Sequence, residues 1–323
     1  MFDMTLPWWA WVLMGIGLAL FIGLIIISVK RNHGIKRSMF ATPYILWIIL
    51  FTVLPVLLIA YYAFVDASGS FTLDNFKSFW DSNWNMKKIM PAELAATYPR
   101  GTVNVDTLVY SLWMAFLCTV ISLLLGYPAA LFMADREMKL GSTLVVLFII
   151  PMWMNFLIRT YAWMTILQDT GILNSAVTAL GLRPWHIIGT EGAVVIGMVY
   201  DYLPYMILPI YSVLAKLDVK LIEAARDLGC SGASVLRRVI WPLSLPGVLS
   251  GVTMVLIPSV STFYISQKLG SGKFFLIGDA IEGQYVANNL HFAAAIAFIM
   301  MIALLTAMAL LRALADRKAT GRS

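Results

Sequence analysis

The sequence predicts an all-α protein that crosses a membrane several times. Three observations predict it. Of the 323 residues, 60% are hydrophobic and only 12% are charged, where a soluble domain carries about a quarter. The apolar residues gather into runs long enough to cross about 30 Å of hydrocarbon. The lysines and arginines collect on one side of the map that those runs define.

The first span is Pro7 to Val29, with Trp8, Trp9 and Trp11 at one interface. Asp3 precedes it, and Lys30, Arg31, Lys36 and Arg37 follow. A cleaved signal peptide has the opposite order, so an uncleaved anchor with an external N-terminus is expected. Residues 1–38 thus hold one extra span and a basic cytoplasmic loop. Six core spans are expected within residues 39–315, and 316–323 form a basic cytoplasmic tail.

Pro43 to Val65 is the second span, and Asp66 to Asp106 is too polar to cross. Thr107 to Met133 is the third, followed by a short basic turn, Ala134 to Gly141. Thr143 to Leu167 is the fourth, and Gln168 to Gly192 a loop marked by Gly171, Gly181 and Pro184. Ala193 to Ala215 is the fifth and Leu245 to Ser266 the sixth, with Pro258 expected to kink it. A loop, Gln267 to His291, leads to the seventh span, Phe292 to Leu311.

Charge tests the map. One side holds fifteen basic residues, from Lys30 to Arg37, Arg136, Lys139, Lys216 to Arg238 and Arg312 to Arg322; the other holds seven, with Arg159 inside a span. The richer side is cytoplasmic, which places the N-terminus outside and the C-terminus inside.

Several functions find no support. The pI near 9.3 could indicate nucleic acid, but the basic residues form no single patch. Cys118 and Cys230 are too far apart in sequence for a framework, and His33, His186 and His291 are scattered. Gly270-Ser271-Gly272-Lys273 imitates half a phosphate-binding loop, yet Gln267 stands where the first glycine belongs and Phe274 where Ser/Thr belongs. No Ser/His/Asp set, HExxH or carboxylate pair stands out, so the chain is expected to be catalytically silent.

The polar stretch 216–247 between the fifth and sixth spans carries the most information. Asp218 can cap a short helix and Gly229 can end it. Leu217, Leu221, Ala224, Ala225 and Leu228 share a face, flanked by Glu223, Arg226 and Asp227. A second short helix, Ser231 to Val239, is expected to stop at Pro242. Such a segment either rests on the membrane surface or docks a soluble partner.

Glu223-Ala224-Ala225, Gly229 four residues later, and Ile240-Trp241-Pro242-Leu243 beyond it resemble the EAA loop of ABC importer permease subunits. LGYPAALFMA (Leu125 to Ala134), PMWMNFLIRTYAW (Pro151 to Trp163) and FYISQKLGSGKFFLIGDAI (Phe263 to Ile281) are similar to the permeases of spermidine/putrescine importers. The resemblance begins near Met39 and implies a type I importer transmembrane domain in a bacterial inner membrane, surrounded by lipid. It also implies a second homologous permease, an ABC ATPase dimer carrying ATP and Mg, an extracytoplasmic binding protein, and no cofactor on this chain. Glu223, Ala224, Ala225, Arg226, Asp227, Leu228 and Gly229 would then couple to the ATPase. The cargo would be a polyamine or another small organic solute. An ion-coupled secondary transporter is the competing class, and its one candidate coupling carboxylate is Asp201.

Ionisable groups inside spans call for a functional hypothesis. Asp201 lies about 12 Å into the fifth span, beside Tyr200, Tyr202 and Tyr205. It could meet a cationic amine, or pair with Arg159 in the fourth span. Asn155, Arg159 and Tyr161 either line the passage or hold helices together. Tyr264 and Gln267 are expected to end the sixth span, where the resemblance implies a gate region. Gly247 and Gly251 would let a neighbouring helix approach.

Overall fold

The computed structural model describes residues 44, 45, 47–66, 68–80, 103–135 and 141–320. The predicted first span and the basic loop after it lie outside the described residues. The chain divides into two compact units, Met1–Tyr62 and Ala63–Ser323. In the first, the described part of the second span is helical, with Trp47 and Phe51 ring centroids 4.2 Å apart. Its regular α-helical part is α1 (Leu54–Phe64), which reaches two residues into the second unit.

The second unit is helical. Among its described residues, four helices are long and apolar enough to cross a membrane: Val105–Ala134, Glu191–Leu214, Gly232–Val260 and Leu290–Ala313. They correspond to the predicted third, fifth, sixth and seventh spans. In order, the elements are α2 (Asp74–Trp80), α3 (Val103–Ala134), α4 (Gly141–Ile149), α5 (Phe156–Leu167), α6 (Ile172–Ala179), α7 (Glu191–Leu214) and α8 (Val219–Asp227). There follow α9 (Gly232–Val235), α10 (Trp241–Val260), α11 (Tyr264–Leu269), α12 (Ile277–Val286) and α13 (Leu290–Thr320).

Helix α7 is the axis of the core. Its apolar window is 61% buried, against 22% for the last span, so α3 and α10 pack around it. Met198, Met206, Ile207 and Ile210 of α7 are fully enclosed with Met114 and Cys118 of α3 and Val255 of α10. Gly247 and Gly251 make the α7–α10 contact possible. A Cβ on Gly247 would lie 2.9 Å from the Pro209 carbonyl oxygen, and one on Gly251 would lie 2.8 Å from Met206 Sδ and 3.0 Å from Met206 O. Backbone cannot yield there, so Gly251→Val should lower the melting temperature of the purified protein by an overpacking cost of about 1–3 kcal/mol. Gly232→Ala, whose Cβ would meet nothing within 4 Å, is the control and should leave the melting temperature nearly unchanged.

Three expectations are corrected. The fourth span is not one helix. Its two halves, Thr143–Trp153 and Phe156–Ala179, meet at 96°. Pro151 lies in a 3-10 turn, Met154 is extended, and Asn155 starts the next helix by accepting from Leu157 N at 2.8 Å. Pro242 does not stop the helix that begins at Gly232. A π turn over Leu236–Ile240 lets Trp241 N donate five residues back to Leu236 O. Pro242 therefore falls in the first turn of α10, directly after the π turn. The sixth span ends at Val260, two residues after Pro258, so Tyr264 and Gln267 stand on the separate helix α11. The loops following the second, fourth and sixth spans likewise carry short helices, α2, α6 and α12.

Candidate functional site

Helix α8 is built to hold a fixed pose. Asp218 Oδ1 accepts from Lys220 N at 3.0 Å, closing the N-terminus. At the other end Gly229 has φ +82°, Gly229 N donates to Arg226 O at 2.8 Å, and Cys230 N donates to Ala225 O at 3.1 Å. These two bonds form a Schellman cap. Val219, Ile222 and Ala225 turn inward and are half-buried, while Leu221, Glu223, Ala224, Arg226, Asp227 and Leu228 are exposed. The sequence grouped Ala225 with Leu221 and Leu228; the helix instead turns Ala225 toward the protein. Leu228 is 86% exposed, so the end of this polar segment presents an uncovered apolar knob.

The spans bring the other predicted residues into two groups and leave two apart. Arg159 and Asp201 pair across α5 and α7, with Nε 3.4 Å from Oδ1 and exposures of 7% and 2%. The charges are close, yet Arg159 Nε, Arg159 Nη1 and Asp201 Oδ1 have no hydrogen-bond partner among the described residues. The pair is thus held by Coulomb attraction at low dielectric more than by a directed bond.

Tyr161, Tyr264 and Gln267 form the second group. Tyr161 meets Tyr264 edge-on with centroids 6.1 Å apart, and Phe156 lies 5.9 Å from Tyr264. Lys268 Nζ sits 5.4 Å and 5.6 Å from the Tyr161 and Tyr264 ring centres, a cation–π arrangement. Gln267 Nε2 donates to Glu282 Oε2. Neither Lys268 nor Glu282 has a sequence signal; folding of the loop between the sixth and seventh spans supplies them. Asn155 is occupied as a helix cap, and Tyr205 faces a groove between α7 and α10.

The loops after the fourth and sixth spans are pinned by buried polar groups that pattern alone did not show. Asn174, 1% exposed, donates to the carbonyls of Gln168 and Trp185 and accepts from Trp185 N at 2.7 Å. Asp279 Oδ2 accepts from Leu276 N and Ser266 Oγ, both at 2.8 Å. Burial pushes the Asp279 carboxyl up to about 7, outweighing those bonds, and Glu282 pushes in the same direction. Its unfolded value is near 3.8, so the protonated fold is favoured. The stability it contributes is complete below that value and is lost as pH rises through about 7. Melting temperature should therefore fall between about pH 4 and pH 7, and Asp279→Asn should flatten that slope.

The half-motif Gly270 to Lys273 is a tight turn. Lys273 N donates to Gly270 O at 2.9 Å, with positive φ at Ser271 and Gly272. The next helix, α12, starts only at Ile277, and Asp279 Oδ2 already accepts from Leu276 N at its start. Among the described residues, no group of three or more His, Cys, Asp or Glu side chains could hold a metal.

Comparison with known proteins places this architecture. The family model for the binding-protein-dependent transport system inner membrane component matches residues 4–320. The spermidine/putrescine transport system permease protein PotB of Haemophilus influenzae is 37% identical over 254 residues, covering 78% of this chain and 84% of that protein. PotB of Escherichia coli K12 is 37% identical over 265 residues, covering 79% and 89%. In fold, the chain is similar to a bacterial ABC transporter involved in importing the acidic polysaccharide alginate. That match has TM-score 0.61 and 14% identity, over 91% of this chain and 98% of the other. The chain belongs to the family of binding-protein-dependent transport system inner membrane components, the multi-pass permease subunits of ABC importers, in which ATP is hydrolysed on a separate subunit.

Proposed function

We propose that the chain is a permease subunit that moves spermidine, putrescine or a similar linear polyamine inward by alternating access. Helix α8 is the observation that carries the coupling role. It is capped at both ends, lies on the side the charge bias marks as cytoplasmic, and leaves Leu221, Glu223, Ala224 and Leu228 uncovered. A dimeric ABC ATPase, holding ATP and Mg, would receive this face, with Arg226 and Asp227 at its rim and Gly229 setting its end. A second, homologous permease would complete the passage, and an extracytoplasmic binding protein would deliver cargo to the outer loops. Identity of 37% to two permeases named for spermidine and putrescine supports the cargo class.

Asn155, Tyr161, Tyr205, Tyr264 and Gln267 would border the passage, with Tyr161 and Tyr264 offering ring faces to an ammonium. Arg159 and Asp201 would reach a substrate only if their pair parted. That engagement also weighs against an ion-coupled carrier, because Asp201 was its one candidate carboxylate. The N-terminus is assigned outside and the C-terminus to the cytoplasm. Labelling of Asp3→Cys and Thr320→Cys from the same side of the membrane would reject this orientation.

Reconstitution with the partner permease, ATPase and binding protein tests the function. Loaded binding protein should stimulate ATP hydrolysis and drive accumulation of labelled spermidine or putrescine. Stimulation without polyamine uptake would reassign the cargo to another small solute.

A further inference from the structure

The Arg159–Asp201 pairing poses a physical problem for a polyamine permease. The carboxylate best placed to meet a cation in this chain's spans is already held by a guanidinium, so other groups have to receive the ammonium. A groove of about 490 Å³ between α7 and α10 offers them, a size within the usual range for small-molecule sites. Tyr205, Pro209 and Ser212 line it from α7, and Pro246, Ser250 and Met254 from α10. The spacings are helical, so each set is one stripe. Among the described residues, no charged one lines the groove.

Prolines change what those stripes can do. A residue at position i in a helix donates its N–H to the carbonyl at i−4, and proline has no N–H. Pro209 therefore gives nothing to the Tyr205 carbonyl, and Pro258 gives nothing to the Met254 carbonyl. Tyr205 and Met254 both line the groove, one on each wall. The serines add to this. On α10, Ser244 and Ser259 donate to the carbonyls of Trp241 and Val255. Among the described residues, Ser212 and Ser250 make no side-chain hydrogen bond, and both lie in the groove.

We propose that this groove is a transit site for a linear alkylammonium cargo. The carbonyls of Tyr205 and Met254 and the hydroxyls of Ser212 and Ser250 accept its N–H groups, while the apolar walls take its methylenes. Oxygen dipoles without a carboxylate suit transit, because a site on a conduction path has to release what it binds. The same logic underlies cation sites at interrupted membrane helices. This inference rests on the polyamine function proposed above.

The test uses the complete importer complex in detergent, with Ser250→Cys or Ser212→Cys introduced beside Cys230→Ser. Cys118 is fully buried and stays. A cationic methanethiosulfonate reagent should label either introduced thiol. Spermidine at ten times its apparent Kd should slow labelling about tenfold, since mass action leaves about one site in eleven free. Sodium chloride at matched ionic strength should not. Pro209→Ala, which returns a donor to the Tyr205 carbonyl, should lower spermidine uptake severalfold; uptake at the wild-type rate would overturn the role of that carbonyl. Labelling that spermidine leaves unchanged, in a complex that transports spermidine, overturns the site and leaves the function intact. Thiols that stay unlabelled in the complex but react in the isolated chain would mean that a partner helix fills the groove, which also overturns it. A wild-type complex that takes up no polyamine removes the function and the site together.

Discussion

Gly229→Val is expected to abolish coupling to the ATPase while leaving the chain inserted and paired with its partner permease. Position 229 has φ +82°, where a side chain carrying Cβ costs roughly 1–2 kcal/mol and a β-branched one more. Space is not the obstacle, because a Cβ there would meet nothing within 4 Å. Relief of the strain would require φ to turn negative. That breaks the bonds from Gly229 N to Arg226 O and from Cys230 N to Ala225 O and redirects the last turn of α8, carrying Leu228 with it. Glu223→Ala acts differently. It leaves the helix intact and removes one exposed carboxylate, worth about 1.5–3 kcal/mol if it accepts a charge-assisted bond on docking, or roughly 10- to 150-fold in affinity. Co-purification of the ATPase and its stimulation by loaded binding protein are the measurements. Gly229→Val should lose both, and Glu223→Ala should weaken association in proportion to the bond lost. Full association and stimulation in both variants would leave α8 without a coupling role.

What the sequence revealed follows from what each signal measures. Hydropathy located the third, fifth and seventh spans well, because each is one apolar helix. It could not detect the break in the fourth, since Ile149 to Leu157 is apolar on both sides of the turn. Pro151 and Asn155 were the local signals, a proline and a capping residue four apart. The run into the sixth span misled for a related reason: Pro242 normally halts a helix, but a widened turn just before it removes the clash, and a π turn leaves no mark in composition. Cap chemistry at Asp218 and Gly229 was fully legible, being local. The direction of Ala225 was not, because five apolar residues wrap too far around a nine-residue helix to define one face. Lys268, Glu282, Asn174 and Asp279 depend on contacts between loops that fold against one another, so no spacing announces them.

Asp201→Asn is expected to destabilise the fold before it affects any substrate. The carboxylate and Arg159 share a site that is almost closed to solvent, and removing one member strands the other charge, at about 3–5 kcal/mol. Few alternatives exist for the guanidinium, since its Nε and Nη1 already lack hydrogen-bond partners. The single variant should therefore express poorly or melt early, and Arg159→Gln should do the same. The double variant Asp201→Asn with Arg159→Gln leaves two neutral amides able to bond to each other, and should recover most of the lost melting temperature. Transport then separates the two roles. If the pair only joins α5 to α7, the double variant should take up polyamine at close to the wild-type rate. If Asp201 also receives the ammonium when the pair parts, the double variant should fold and still transport poorly. A single Asp201→Asn protein that melts like the wild type would show that the pair contributes little to stability, because a stranded Arg159 buried to this degree has no inexpensive way to remain charged.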